Sequence, residues 1–153
     1  MTPSLPPAAR VLIVEDDEIV SQSMRLLLTN AGLCVLVAAS GRDALEHCDE
    51  TNPVLVVMDV GLWGDVDGLE VGATVSALGA YVLYVTARSD IDTLRRAAGT
   101  NVVGFVVKPF SDRQLMAAVS LAIDRVHTAD AASRSRCAAL DNAHEEFVRS
   151  RAI

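Results

Sequence analysis

The chain has 153 residues, of which 51% are hydrophobic, and it carries a formal net charge of -7. This length fits one domain with a short extension, and the hydrophobic content is too high for a disordered chain. The negative charge opposes the phosphate backbone of DNA and RNA, so we expect no direct contact with nucleic acid. The longest apolar run, Leu33–Ala39, is far shorter than the ~18 residues of a membrane span, so we expect no membrane contact. The first ten residues do not resemble a signal peptide, so we expect a cytoplasmic protein.

Five short, valine-rich runs alternate with stretches of helical periodicity. The runs are apolar at successive positions, which is typical of strands that are buried on both faces of a parallel sheet. They are Arg10–Val14, Leu33–Ala38, Val54–Met58, Tyr81–Val85 and Val102–Val107.

The helical stretches carry their own start and stop signals. In chain order these are Gly32 after the first helix, Ser40 with Asp43 before the second, Ser89 with Asp90 before the fourth, and Ser111 with Gln114 before the fifth. The fourth helix is expected to end at Gly99. The third helix, roughly Gly68 to Leu78, has the weakest pattern because its apolar stripe is poor.

This alternation predicts an α/β fold of five βα units with helices on both faces of a parallel sheet. A flavodoxin-like strand order 2-1-3-4-5 follows by analogy, and it places the functional crevice at the carboxyl ends of the first and third strands. We expect a flexible N-terminal arm over residues 1–9, one domain over 10–126, and a helical or disordered C-terminal extension over 127–153.

Polar and charged side chains stand at four of the predicted strand ends: Glu15 and Asp16, then Asp59, Thr86 and Lys108. Because the first and third strands are neighbours in this topology, the three carboxylates are expected to converge. Three carboxylates in one crevice repel one another unless a cation neutralises them, and hard oxygen ligands of this kind suit Mg²⁺.

This set of residue types favours chemistry on phosphate. A carboxylate can attack phosphorus to give an aspartyl phosphate, and the transfer mainly requires positioning and charge neutralisation. Lys108 offers a mobile positive charge, and Thr86 offers a hydroxyl donor. Each feature alone has an ordinary explanation, since acids after a strand are usually the solvated start of a helix. Their coincidence in one crevice favours the functional interpretation.

Four segments together resemble the signature of response-regulator receiver domains, in particular the single-domain members similar to chemotaxis regulators. They are Val11–Asp17, Val57–Asp59, Val85–Ala87 and Phe105–Phe110. The resemblance covers roughly residues 9–126. It implies that Asp59 receives a phosphoryl group from a histidine kinase or a phosphotransfer protein, as one step of a two-component phosphorelay.

The resemblance also implies a metal site for Mg²⁺ or Mn²⁺. Asp16 and Asp59 would bind the metal directly, together with the backbone carbonyl of Gly61. Glu15 would act through a metal-bound water.

Further roles follow from the same resemblance. Thr86 and Lys108 would hold phosphoryl oxygens, and Phe105 would turn inward when Thr86 moves toward the phosphate. This would reshape the face made by the fourth helix, the fifth strand and the fifth helix. The positions two after the acceptor and two after the threonine, Gly61 and Arg88, would tune the lifetime of the phosphoryl group.

The segment after the acceptor departs from the family pattern. Members usually have proline four residues after the aspartate and glycine eight after it. Here Trp63 occupies the first position, and the helix-opening glycine, Gly68, comes nine residues after Asp59. The loop is therefore one residue longer, which bears on the Gly61 carbonyl as a ligand.

Two other classes of function fit the fold. An Asp-nucleophile phosphohydrolase would need a second acid two residues after the nucleophile, where this chain has Gly61. A phosphorylation-independent adaptor would not need the acceptor, the acid pair and the lysine together. We therefore expect a phosphoryl acceptor with only slow self-dephosphorylation, not an enzyme, that signals to an unknown downstream protein.

The C-terminal extension contains a narrow and only partly apolar helical stripe in which Leu140 and Phe147 lie one heptad apart. Fraying of the chain end is one outcome. The other is a homodimer or partner contact made by the fifth helix with residues 127–150.

Overall fold

The structure, a computed structural model, describes residues 9–62, 67–97 and 101–128, without the side chains of residues 93, 96 and 97. Strands and helices alternate along it. Those of the first half are β1 (Arg10–Val14), α1 (Glu18–Asn30), β2 (Cys34–Ala38), α2 (Gly41–Thr51) and β3 (Leu55–Asp59). Those of the second half are α3 (Gly68–Ala77), β4 (Tyr81–Ala87), α4 (Ile91–Ala97) and β5 (Val102–Lys108), followed by α5 over residues 112–128.

The five strands form one parallel sheet in the order β2-β1-β3-β4-β5, as the sequence predicts. The register pairs Val14 with Met58, so that Glu15 and Asp59 leave their neighbouring strands at the same level. This topology places the acids of two distant segments side by side.

Both faces of the sheet are buried, which explains why the strand sequences are apolar at successive positions. On one face Val11 packs in a cluster with Leu28 of α1 and Val119 of α5. On the other face Leu12 packs in a second cluster with Val71 of α3. The alternating side chains of one strand therefore contribute to two separate hydrophobic layers.

Most of the expected helix boundaries are present. Gly32 has a φ of +94° just after α1, a conformation that glycine adopts without strain. Ser40 accepts a hydrogen bond from the amide of Asp43 at 3.2 Å. Before α5, the Ser111 amide donates to the Gln114 side chain at 2.8 Å, and the Gln114 amide donates to the Ser111 hydroxyl at 3.1 Å.

The start of α4 differs from the expectation. Arg88–Asp90 form a 3₁₀ turn directly before the helix, and the side chain of Ala87 is too short to cap it. Ser89 and Asp90 therefore lie inside a turn and not at a simple helix cap. The expected end of this helix at Gly99 lies outside the described residues.

The helix α3 has a poor apolar stripe because two of its buried positions are glycine. Its buried residues are Gly68, Val71, Gly72 and Val75. A Cβ at Gly68 would overlap the carbonyl oxygen of Asp59, and one at Gly72 would overlap the hydroxyl of the buried Tyr84. The helix therefore lies so close to β3 and β4 that larger residues do not fit.

The structure also defines the end of α5 and the surroundings of two cysteines. The helix α5 continues through residue 128, past the predicted boundary at 126, and residues 1–8 and 129–153 lie outside the described part of the chain. Cys48 is buried, whereas Cys34 is exposed at the start of the edge strand β2.

Among the described helices, none has the length and apolar character that crossing a bilayer requires.

Candidate functional site

A pocket of about 450 Å³ opens at the carboxyl edge of the sheet. Its lining comes from four strand ends and the turns that follow them. These residues are Glu15, Asp16, Asp17, Asp59, Gly61, Ala87, Asp90 and Lys108. The site residues predicted from β1, β3 and β5 therefore meet in one place.

Lys108 forms two ion pairs inside this pocket. Its Nζ lies 3.2 Å from Oε2 of Glu15 and 3.2 Å from Oδ2 of Asp59. The two carboxylates are buried, with 3% and 6% of their side chains exposed, whereas 35% of the Lys108 side chain is exposed. The partly exposed Lys108 is thus the ion-pair partner of both buried carboxylates.

The charges alter the protonation of both partners. Burial raises the pKa of Glu15 to about 7, and the neighbouring charge of Asp59 adds to this effect. Hydrogen bonding from the Asp17 amide and the charge of Lys108 lower the pKa but do not offset the increase. For Lys108, burial lowers the pKa, but the charges of Asp59 and Glu15 outweigh it, so the pKa is raised. Burial therefore favours the protonated form of Glu15, whereas the two acids favour the charged form of Lys108.

The three consecutive acids after β1 have different tasks. The Asp17 carboxylate accepts the amides of Ile19 and Val20 at 2.9 and 3.2 Å, so it caps α1. The Asp17 amide in turn donates to Oε1 of Glu15 at 3.2 Å. The ordinary interpretation, a solvated helix start, is thus right for Asp17, whereas Glu15 and Asp16 line the pocket beside Asp59.

The donor set fits a divalent cation. Carboxylate oxygens of Glu15, Asp16 and Asp59 all lie within 4.8 Å of one another. Oxygen ligands at such spacing, with room for water, are typical of Mg²⁺ sites in proteins. The acidic triad could therefore hold a metal ion.

Both oxygens of Asp59 are fixed. Oδ1 accepts a hydrogen bond from the Gly61 amide at 2.9 Å, and Oδ2 contacts Lys108. In the structure it is the amide of Gly61 that contacts Asp59, and the role of its carbonyl as a metal ligand stays a prediction. The carboxylate at the end of β3 is thus held with its oxygens in the pocket.

Comparison with known proteins decides the family. The family of response regulator receiver domains matches residues 11–120. The chain belongs to this family. The transcriptional regulatory protein PdtaR of Mycobacterium tuberculosis is 31% identical over 118 residues, which are 76% of this chain and 57% of that protein. The transcriptional regulatory protein AfsQ1 of Streptomyces coelicolor is 34% identical over 116 residues, which are 75% of this chain and 51% of that protein. The chain spans about half the length of these curated relatives.

Solved structures show the same fold. A receiver domain protein from Clostridium thermocellum superposes with a TM-score of 0.70 at 23% identity, over 76% of this chain and 95% of that one. A CheY-like receiver domain protein from Methanospirillum hungatei gives a TM-score of 0.70 at 23% identity, over 79% and 98%. This chain is thus a receiver domain of two-component signalling. Such domains partner with histidine kinases and typically accept phosphate without being true enzymes.

The residues predicted to act as the switch of this receiver domain lie on β4 and β5. Thr86 is fully buried, and its hydroxyl donates to the carbonyl of Ala87 at 3.1 Å. Phe105 is 39% exposed, and it is the register partner of Tyr84. Their roles in switching stay predictions.

The two residues predicted to tune the receiver's phosphoryl lifetime are placed differently. Gly61 lines the pocket, whereas Arg88 is exposed on the 3₁₀ turn and is not part of the pocket lining. Ala87 and Asp90 line the pocket on this side. Sequence reasoning missed Asp90 because it assigned this residue to a helix cap. Trp63 lies outside the described residues.

Proposed function

We propose that this receiver domain accepts a phosphoryl group on Asp59 from a histidine kinase or a phosphotransfer protein. The observation that supports it most directly is the convergence of Asp59 with Lys108 and with two further acids at one strand edge. Lys108 would act as the cation that contacts the phosphoryl oxygens. The acids would hold the divalent cation that the transfer requires.

The chemistry forms a bond between phosphorus and a carboxylate oxygen of Asp59, and it breaks the bond between phosphorus and the donor. Asp59 is suited to this because its oxygens are already oriented by the Gly61 amide and by Lys108. Asp16, Asp59 and the Gly61 carbonyl would hold Mg²⁺ or Mn²⁺, and Glu15 would act through a water; the metal would supply positive charge to the phosphoryl oxygens.

The signal would leave the site through Thr86 and Phe105. The Thr86 hydroxyl now binds a backbone carbonyl of its own strand, a single bond that a phosphoryl oxygen could replace. Phe105 is half-exposed on the neighbouring strand, so its ring could become more buried by turning inward. Its inward turn would reshape the face made by α4, β5 and α5, where a downstream protein would bind.

Labelling with acetyl phosphate or with a phosphorylated kinase tests the acceptor. We expect labelling only in the presence of Mg²⁺ or Mn²⁺, and its loss in Asp59→Asn. Asp49→Asn, an exposed carboxylate on α2, is the matched control for loss of charge and should label normally. Labelling of Asp59→Asn at the native stoichiometry would contradict the assignment of the acceptor.

The Lys108→Ala variant separates metal binding from switching. The variant retains all three acids, so we expect it to bind Mg²⁺ at least as tightly as the native protein, since a competing cation has been removed. It should fail to reach the activated conformation when beryllofluoride is added. Native-like conformational change in this variant, followed by NMR of the Phe105 region, would contradict the role of the lysine. A phosphorylation-independent adaptor would be unaffected by either variant.

A further inference from the structure

Asp90 lines the pocket but has no role in the phosphorylation of Asp59 as proposed. It ends the 3₁₀ turn that follows β4, where Arg88 and Ser89 are exposed and Asp90 is half-buried. Only its neighbour Ala87, which has a small side chain, joins it in lining this side of the pocket. The Asp90 carboxylate therefore borders the opening through which a phosphodonor reaches Asp59.

Within the part of the chain that the structure describes, Asp90 has fewer bonding partners than Glu15, Asp17 and Asp59. Glu15 and Asp59 pair with Lys108, and Asp17 is bound by the amides of α1. Among the side chains that the structure describes, no hydrogen bond or ion pair involves the Asp90 carboxylate. Nor does Asp90 belong to the triad whose oxygens could hold a metal ion. Its negative charge would therefore repel a negatively charged phosphodonor that enters the pocket.

We propose that Asp90 is a specificity-determining residue that slows phosphorylation of Asp59 by doubly charged small-molecule donors. The inference rests on the proposed function of Asp59 as acceptor. The repulsion between a fixed negative charge and a donor grows in proportion to the donor's charge. Asp90 therefore discriminates against a dianion such as acetyl phosphate more than against phosphoramidate, which carries a net single negative charge because its nitrogen is protonated.

The expected size follows from Coulomb's law. For an assumed separation of about 8 Å in a medium close to water, the repulsion from one negative charge changes the rate roughly five-fold for a dianion and roughly two-fold for a monoanion. Salt at about 1 M reduces the screening length to about 3 Å, so the effect should then disappear. A steric effect of the side chain would show neither dependence.

The experiment measures initial labelling rates with both donors, in Mg²⁺, at low salt and at about 1 M salt. We expect Asp90→Asn to label roughly five-fold faster with acetyl phosphate and roughly two-fold faster with phosphoramidate, with both gains lost at high salt. Asp90→Glu keeps the charge and should behave like the native protein. Asp92→Asn is the matched control, because it removes an exposed acid from the first turn of α4, outside the pocket lining.

Four results would overturn the inference. The first two are equal gains with the two donors and gains that persist at high salt. The third is a gain of the same size in Asp92→Asn, which would show that net charge and not the position of Asp90 is responsible. The fourth is an unchanged rate in Asp90→Asn. Failure of the proposed function is distinguished by the Asp59→Asn variant, since labelling that does not depend on Asp59 would remove the acceptor itself.

Discussion

Replacing Gly68 with alanine is expected to displace the backbone of Asp59, the residue that we propose as the acceptor. Gly68 opens α3, and a Cβ at this position would overlap the carbonyl oxygen of Asp59 and lie 3.0 Å from the Cα of Val60. Both obstacles are backbone atoms, which cannot rotate away as the end of a side chain can. Either α3 or the end of β3 must therefore move.

The magnitude follows from two opposing effects. Overpacking of a well-filled site costs about 1–3 kcal/mol. Alanine lowers the entropy of the unfolded chain relative to glycine, which stabilises the fold by about 0.4–1 kcal/mol. We expect Gly68→Ala to lose about 1–2 kcal/mol in the free energy of unfolding. A shift of Asp59 relative to Lys108 should also slow its phosphorylation by about ten-fold or more, since a misplacement of about 1 Å can cost about a hundred-fold.

Urea denaturation and labelling with acetyl phosphate measure the two consequences. Gly61→Ala is the matched control, because its Cβ would lie 3.6 Å from Oδ1 of Asp59, an ordinary contact distance. The control should retain nearly native stability. If the urea midpoint of Gly68→Ala equals that of the native protein, or if Gly61→Ala loses as much stability, the close approach of α3 to Asp59 is not what requires glycine.

Three further predictions rest on the structure and on the sequence of the C-terminal extension. In EDTA, the free energy of unfolding should fall as the pH rises from about 4.5 to above 7, because the folded protein retains a Glu15 proton that the unfolded chain releases. This contribution to stability is fully present below pH 4.5 and amounts to at most roughly 3 kcal/mol. Urea midpoints measured across this pH range should show it in the native protein and not in Glu15→Gln. Gly72→Ala should lose about 1–3 kcal/mol through overlap with the hydroxyl of Tyr84, and urea denaturation of the double variant with Tyr84→Phe should recover part of it. Light scattering should show beryllofluoride-dependent association in the full chain and not in a chain truncated after Val126, unless the C-terminal extension is a passive end.

The fold could be predicted because its strands are buried on both faces. Runs such as Arg10–Val14 and Val102–Val107 are too short for helices and too apolar for edge loops, and they match strands of the structure closely. The capping residues Ser111 and Gln114 indicated the start of α5 for a local reason, since they bond to each other. Local signals of this kind do not depend on the rest of the chain.

Elements that depend on tertiary packing were less visible. The weak stripe of α3 results from Gly68 and Gly72, whose lack of a side chain is itself the packing feature. A pattern of hydrophobic side chains cannot reveal a buried position whose residue is glycine and therefore has no side chain. The 3₁₀ turn Arg88–Asp90 was missed for a related reason, since a cap and a turn use the same residue types.

The carboxyl edge of the sheet shows why its charges were predictable in kind but not in detail. Strand order alone brings Glu15 beside Asp59, and the buried pair then requires a cation. Lys108 meets both acids, yet one positive charge cannot balance two buried carboxylates together with Asp16 beside them. The pKa of Glu15 is raised to about 7 mainly by burial, and the negative charge of Asp59 contributes to the increase. Such a group of acids would favour the binding of a divalent cation, which would supply much of the counter-charge of Asp59. Lys108 would then be able to contact a phosphoryl oxygen, which is the role that we propose for it.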